Sequence, residues 1–260
     1  MSPFELILWG AALTCGWMVL AWVFAFSRNN AAWVDVAWTF AFSMVSAFFC
    51  VMGQAPFVRK TLLALMVGVW SLRLGIYLLR RVASHPEDPR YGQMRSLLPG
   101  RPWLLFFFVF QLQGLLVGVL SIPFGLMASH TARELSVWEV AGLALWLVGL
   151  CGEAVADAQL VKFKKNPENA GRVCRSGLWR YSRHPNYFFE WVVWVGFGTA
   201  ALGSPNGWAG LIAPVVMFLL LTRVTGIPPA EAASLKSRGD AYRVYQRETS
   251  AFFPLPPRAG

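Results

Sequence analysis

The sequence predicts an all-α integral membrane protein, a bundle of seven transmembrane helices with the N-terminus outside and the C-terminus cytosolic. Three observations predict it. Of the 260 residues, 56% are hydrophobic and only 14% are charged, with a mean hydropathy of +0.48; soluble domains carry roughly 25% charged residues. The apolar residues form continuous runs rather than alternating, which argues against a membrane β-barrel. Finally, Lys and Arg collect on one side of the succession of runs.

A span needs about 20 mostly apolar residues. Candidate runs lie at 4–26, 31–52, 62–79, 103–127, 137–155, 187–202 and 208–224. No basic segment precedes the first, and it is long enough to cross, so it reads as an anchor rather than a cleaved signal. Asp35 stands near the start of the second run and Arg73 within the third. Glu153 and Asp157 end the fifth, one helical turn apart. The sixth is short and opens at Glu190, and Arg223 closes the seventh. With the N-terminus outside, nineteen of the 23 Lys and Arg residues fall in cytosolic loops or the C-terminal tail, as the positive-inside rule requires.

The formal charge of +10 does not indicate nucleic acid, because its carriers are spread over short loops between apolar runs. Cys15, Cys50, Cys151 and Cys174 have neither disulfide-like nor metal-like spacing, and His85, His130 and His184 are far apart. No metal is expected. The chain reads as one membrane domain, residues 1–260.

Ionisable groups inside a membrane are costly and mark function by default. Asp35, Arg73, Glu153, Asp157, Glu190 and Arg223 all fall in the cytosolic halves of their predicted helices. Helical spacing puts Asn186 on the face of Glu190, and Arg73 on the face of Trp70, Tyr77 and Arg80. A polar cavity open to the cytosol follows. The loop after the fifth run is rich in donors, among them Lys164, Asn166, Arg172, Arg183, His184 and Asn186. Arg and Lys suit phosphates, and Trp179, Tyr181 and Tyr187 offer flat surfaces for an aromatic ring. A glycine string at 196–201 sits in an apolar helix without a preceding strand, so it is no dinucleotide fingerprint.

The segment SGLWRYSRHPNYFFEW and the tail GIPPAEAASLKSRGDAYRVYQRETSAFFPLPPR resemble the steroid 5α-reductase family in its bacterial branch. WVDVAWTFAF, WSLRLGIYLLRR and EDPRYGQMR also fit that branch. Isoprenylcysteine-type methyltransferases and sterol reductases share RHPNY-like segments. The resemblance implies a seven-helix enzyme that uses NADPH to reduce the Δ4 double bond of a 3-oxo-steroid. It implies cofactor contacts from Asp157, Lys164, Arg172, Tyr181, His184, Asn186, Glu190 and Arg223, and the donor-rich loop itself adds Asn166, Arg183 and Tyr187 to the expected set. Glu231 would replace the His and Tyr of the mammalian enzymes, and Tyr242, Tyr245 and Arg247 of the tail would close over the cofactor. Residues 1–130 would form much of the substrate cavity; within 131–260, loop 156–186 and tail 223–260 would form the cofactor site.

Enone reduction needs a donor that polarises the carbonyl while bulk water is excluded. The mammalian enzymes place a Glu on the second span and a Tyr on the third for this purpose. Asp35 takes the acidic position here; helical register puts Trp70 at the other, leaving Arg73 or Tyr77 for the role. The expected partners are a lipophilic enone and membrane lipid. Two other readings stand beside this one, a membrane methyltransferase using S-adenosylmethionine and a non-catalytic sterol-binding protein. The basic loop suits a phosphate-bearing cofactor better than S-adenosylmethionine, and the nearly charge-free outer half fits a one-sided pocket better than a transport path.

Overall fold

A computed structural model describes residues 1–87, 89–98 and 100–258. Asp88 of the EDPRYGQMR motif, Pro99, and the side chains of Pro89, Arg90 and Gln93 lie outside the described residues, so the cytosolic charge assigned to Arg90 is among them. The described residues are helical, with one isolated bridge between Ser182 and Ser250.

Among the described residues, six helical stretches are long and apolar enough to cross a membrane: Pro3–Ser27, Trp33–Met52, Phe57–Ser84, Pro102–Leu120, Val137–Lys165 and Gly207–Arg238. The chain is a multi-pass membrane protein. The first three are α1, α2 and α3; α4 is Pro89–Arg95, α5 Pro102–Leu120, α6 Ile122–Ser129 and α7 Val137–Lys165. Helix α8, Pro185–Ala201, covers the short sixth run in 17 residues. The seventh run is a 3-10 turn at Gly207–Leu211, then α9 at Ile212–Leu219 and a π-helical turn at Leu220–Val224. Helices α10 (Ile227–Arg238) and α11 (Asp240–Glu248) follow.

Local chemistry sets the breaks. Ser2 and Glu5 form a reciprocal capping box at the start of α1, with Pro3 in its first turn, satisfying amides the helix itself leaves unpaired. Run 103–127 divides at Ser121 because Pro123 has no amide hydrogen to continue the ladder, and a new helix starts there. Helices α3 and α7 outrun their apolar cores, ending in the basic segments Arg80–Arg81 and Lys162–Lys165. A cation at a helix C-terminus complements its dipole.

The chain divides into two compact units, Met1–Glu139 with Ala201–Ile212, and Val140–Ala200 with Ala213–Gly260. In the first, α1 lies against α5 and α2 against α3. Thr14 donates to the Gly114 carbonyl at 2.8 Å, where a Cβ on Gly114 would stand 3.1 Å from the Cys15 Cα. Phe42, Phe49, Trp70, Phe106, Phe110 and Phe124 fill the core.

In the second unit α7 and α8 meet along a glycine seam. A Cβ on Gly149 would stand 2.6 Å from the Val193 amide nitrogen, and one on Gly196 would stand 2.7 Å from that of Trp146. Small residues allow this backbone approach where apolar burial gives no driving force between helices in lipid. Gly149→Leu is expected to force the helices apart and cost about 1–3 kcal/mol, the usual range for overpacking. A lowered midpoint in detergent thermal unfolding checks it; an unchanged midpoint would sink the seam as a tight contact.

Candidate functional site

The second unit gathers the RHPNY segment. A 3-10 turn at Gly177–Arg180 brings the chain back to α7: Leu178 N donates to Gln159 Oε1 and Trp179 Nε1 to the Ala156 carbonyl, both at 2.9 Å. Gly177 suits this turn because its φ is +60°, a conformation that L side chains rarely adopt. Trp179 is therefore buried as an anchor, while Tyr181 keeps an exposed ring.

The next residues tie this turn to the tail. Arg183 Nε donates to Glu231 Oε1 at 2.6 Å, and its Nη1 donates to the carbonyls of Gln246 (3.0 Å) and Thr249 (2.6 Å). Its Nη2 is also 2.6 Å from Glu231 Oε1. Gln246 Nε2 donates to Glu231 Oε2 at 2.8 Å, and His184 Nε2 lies 3.4 Å from Oε1. Ser182 Oγ donates to the Phe252 carbonyl at 2.8 Å, the Arg183 amide donates to the Ser250 carbonyl, and that of Leu255 to the Tyr181 carbonyl. Tyr245 donates its hydroxyl to the Trp179 carbonyl; burial pushes this phenol up, which keeps the donor protonated.

The predicted cofactor residues thus separate into two kinds. Arg183, Glu231, Tyr245 and the buried Tyr242 hold the tail against the loop. The guanidinium of Arg183, whose three nitrogens already face oxygen partners, has little left for a phosphate. Asp157 and Asn186 meet across α7 and α8, with Asn186 Nδ2 3.4 Å from Asp157 Oδ1. Asn186 Oδ1 is buried and lacks a hydrogen-bond donor among the described residues. Tyr187 stacks on His184 with ring centroids 5.4 Å apart and planes 6° from parallel. Glu190 is buried and accepts from Trp194 Nε1 at 2.9 Å. Lys164, Arg172, Arg223 and Arg247 are exposed. Arg223 sits in the π-helical turn, a distortion common at functional sites. Asn166 caps the 3-10 turn at Pro167–Asn169 by accepting from the Glu168 amide.

In the first unit Asp35 is half-buried at the start of α2 and accepts a hydrogen bond of 2.9 Å from Tyr91. Tyr91 is buried and belongs to α4. The α4 segment is fixed by Glu87, which accepts from Arg95 and from the Ala31 amide, and by the Arg95 guanidinium 4.8 Å from the Trp103 ring centroid. Arg73 is half-buried on α3. Trp70 is fully buried, whereas Tyr77 is 62% exposed on the outside of its helix. The tyrosine beside the acid is therefore Tyr91, which helical register on α3 could not find. Its signal was the EDPRYGQMR motif, but nothing in sequence spacing links that loop to a residue 56 positions earlier. Gln159 and Gln246 were likewise missed, as uncharged residues in otherwise charged segments. Among the described residues, no group of His, Cys, Asp and Glu is arranged to hold a metal ion.

A sequence profile of the family described as "Protein of unknown function (DUF1295)" matches residues 21–249. The chain is 27% identical over 227 residues to an uncharacterized protein of Schizosaccharomyces pombe, covering 75% of this chain and 63% of that protein. It is 34% identical over 111 residues to 3-oxo-5-alpha-steroid 4-dehydrogenase 1 of Mus musculus, covering 39% of this chain and 41% of the mouse protein. A match of 38% over 77 residues to a steroid 5-alpha-reductase of Gossypium hirsutum covers 25% of this chain and 30% of the plant protein. The chain therefore spans less than two thirds of the length of each of these relatives. No solved structure matches.

Proposed function

The chain belongs to the DUF1295 family and is steroid 5α-reductase-like, and from that premise we propose that it uses NADPH to reduce the Δ4 double bond of 3-oxo-steroids or similar lipophilic enones. The observation that carries this reading is the hydrogen bond between Tyr91 and Asp35, a hydroxyl donor held by a carboxylate within a bundle of apolar helices. Relatives named as steroid reductases support the reaction class. In this proposal α8 is the sixth of seven crossings, the N-terminus is outside, and the basic loop and tail face the cytosol.

The residues of the second unit fit the dinucleotide. A buried acceptor without a donor costs about 1–3 kcal/mol, and Asn186 Oδ1 is one; an amide N–H of a ligand would satisfy it. Asp157 holds the other end of the same amide and so fixes which atom is presented. Lys164 and Arg172, exposed and cationic, supply charge-assisted hydrogen bonds to phosphates. Arg183 and Glu231 act as positioning residues by fixing the loop that carries His184 and Asn186. When bound, NADPH supplies the hydride. Tyr91 has one hydrogen to give, so on substrate binding it would turn that hydrogen from Asp35 to the enone oxygen as negative charge develops there, Asp35 holding the hydroxyl in place beforehand. The apolar helices exclude bulk water and admit a substrate from the lipid.

Purified protein in detergent is expected to bind NADPH and to oxidise it when an enone steroid such as progesterone is added. Tight binding of S-adenosylmethionine with no binding of NADPH would overturn the proposal in favour of methyl transfer. Asn186→Ala is expected to weaken NADPH binding about tenfold, in line with the loss of one hydrogen bond of about 1–1.5 kcal/mol. The checks are calorimetric titration and an unchanged elution profile. Full affinity in a folded variant would remove Asn186 from the site.

A further inference from the structure

The C-terminal tail encloses a second polar cavity. Its volume is about 220 Å³, and Arg183, Arg247, Glu248, Ser250, Leu255 and Arg258 are among the residues that line it. That is smaller than the roughly 300–1,000 Å³ of pockets that hold whole small-molecule ligands. The space suits a single charged group. Two of its charges are already balanced: Arg183 by Glu231 at 2.6 Å, and Glu248 by Arg175 at 2.8 Å. Among the described residues no carboxylate pairs with Arg247 or Arg258. Two arginines therefore give the cavity an uncompensated positive charge. Arg258 is held in place by its own amide, which donates to the Glu248 carbonyl at 2.9 Å.

The surroundings indicate the source of the anion. Phe252 and Phe253, a few residues before the cavity wall at Leu255, pack their rings on Phe188 and Trp191 of α8 and on Phe218 of α9. Phe218 belongs to an apolar stretch long enough to cross the membrane. Phe253 is nevertheless 46% exposed and Leu255 53% exposed. Apolar side chains left open beside a basic pocket, on a segment docked to membrane helices, match the boundary between headgroups and acyl chains. We propose that this cavity takes the phosphate of an anionic phospholipid headgroup, with Arg247 and Arg258 as its ligands and Phe253 and Leu255 against the acyl chains.

The test uses the full-length protein in nanodiscs of phosphatidylcholine with and without phosphatidylglycerol, reading retained lipid by native mass spectrometry. Wild type is expected to keep phosphatidylglycerol in preference to phosphatidylcholine. Arg258→Gln is expected to lower that retention about fivefold, the effect of roughly 1 kcal/mol per basic residue at a membrane surface, with NADPH affinity unchanged. Arg247→Gln should lower retention by a similar factor. Intrinsic tryptophan fluorescence establishes that both variants are folded. Equal retention of the two lipids by wild type would overturn the proposal. So would variants that keep phosphatidylglycerol but lose affinity for NADPH and not for NADH, because the pocket would then be reading the dinucleotide's own phosphate.

Discussion

Arg59→Leu is expected to be among the most destabilising single substitutions in the first unit, at about 3–5 kcal/mol, the range for breaking a buried ion pair by removing one partner. Arg59 lies at the start of α3 and is fully buried with Glu139. Its Nε donates to one Glu139 carboxylate oxygen and its Nη2 to the other, at 3.2 Å for the latter. Its remaining donors reach the carbonyls of His130 (2.8 Å), Ala132 and Glu134 (2.7 Å). Glu139 also accepts from the Ser136 amide at 2.7 Å. One guanidinium therefore closes the whole link between α6 and α7. Removing it strands a buried carboxylate and three carbonyls. Arg59→Leu/Glu139→Leu should recover part of the loss, since neither charge is then left alone. Thermal unfolding in detergent gives the comparison. A single variant as stable as wild type would show that the cluster does not hold this link.

The second large effect is expected on turnover. Tyr91→Phe removes the hydroxyl that donates to Asp35 without removing the buried ring. Losing one donor to a developing oxyanion costs about 10²–10³ in kcat, and binding of an apolar substrate should change little. Asp35→Asn should lower kcat less, because an amide oxygen still holds the tyrosine hydroxyl in place until the substrate oxygen takes over its hydrogen. Asp35→Ala should match or exceed the loss from Tyr91→Phe. Steady-state NADPH oxidation with an enone steroid separates kcat from KM. If Tyr91→Phe raised KM alone, Tyr91 would be a binding residue with no part in polarising the carbonyl.

How much was legible in the sequence depended on range. Apolar runs are local signals, so α1, α2 and α8 fall close to their predicted places, while α3 and α7 run past theirs. The break at Ser121 lies inside a continuous apolar run, where a single proline does not mark a boundary. The Gly207–Arg238 stretch hides its change from 3-10 to α to π geometry, because all three share one apolar composition. In the candidate site, spacing within one helix places Asn186 beside Glu190, and the structure puts both on α8, with Asn186 against Asp157. Contacts between distant segments were not legible. Arg183 read as a phosphate ligand because an arginine in a basic loop advertises its charge and not its partner. Its partner, Glu231, lies 48 residues later in a tail with little hydrophobic pattern. Glu139 had no visible reason to be buried at the start of an apolar helix until Arg59 was seen against it.

The strap formed by Arg183, Gln246, Thr249 and Phe252 also sets an order of events. Arg183 draws its side-chain partners from residues 231–249, and Ser182 donates to the Phe252 carbonyl, all far later in the sequence. On the ribosome the helices before Ser182 can enter the membrane while synthesis continues, but the loop carrying His184 and Asn186 must wait for residues 231–252. A chain stopped short at Gly239 would lack Gln246, Thr249 and Phe252 and could not complete that loop. The strap thus makes completion of that loop depend on the synthesis of residues 231–252.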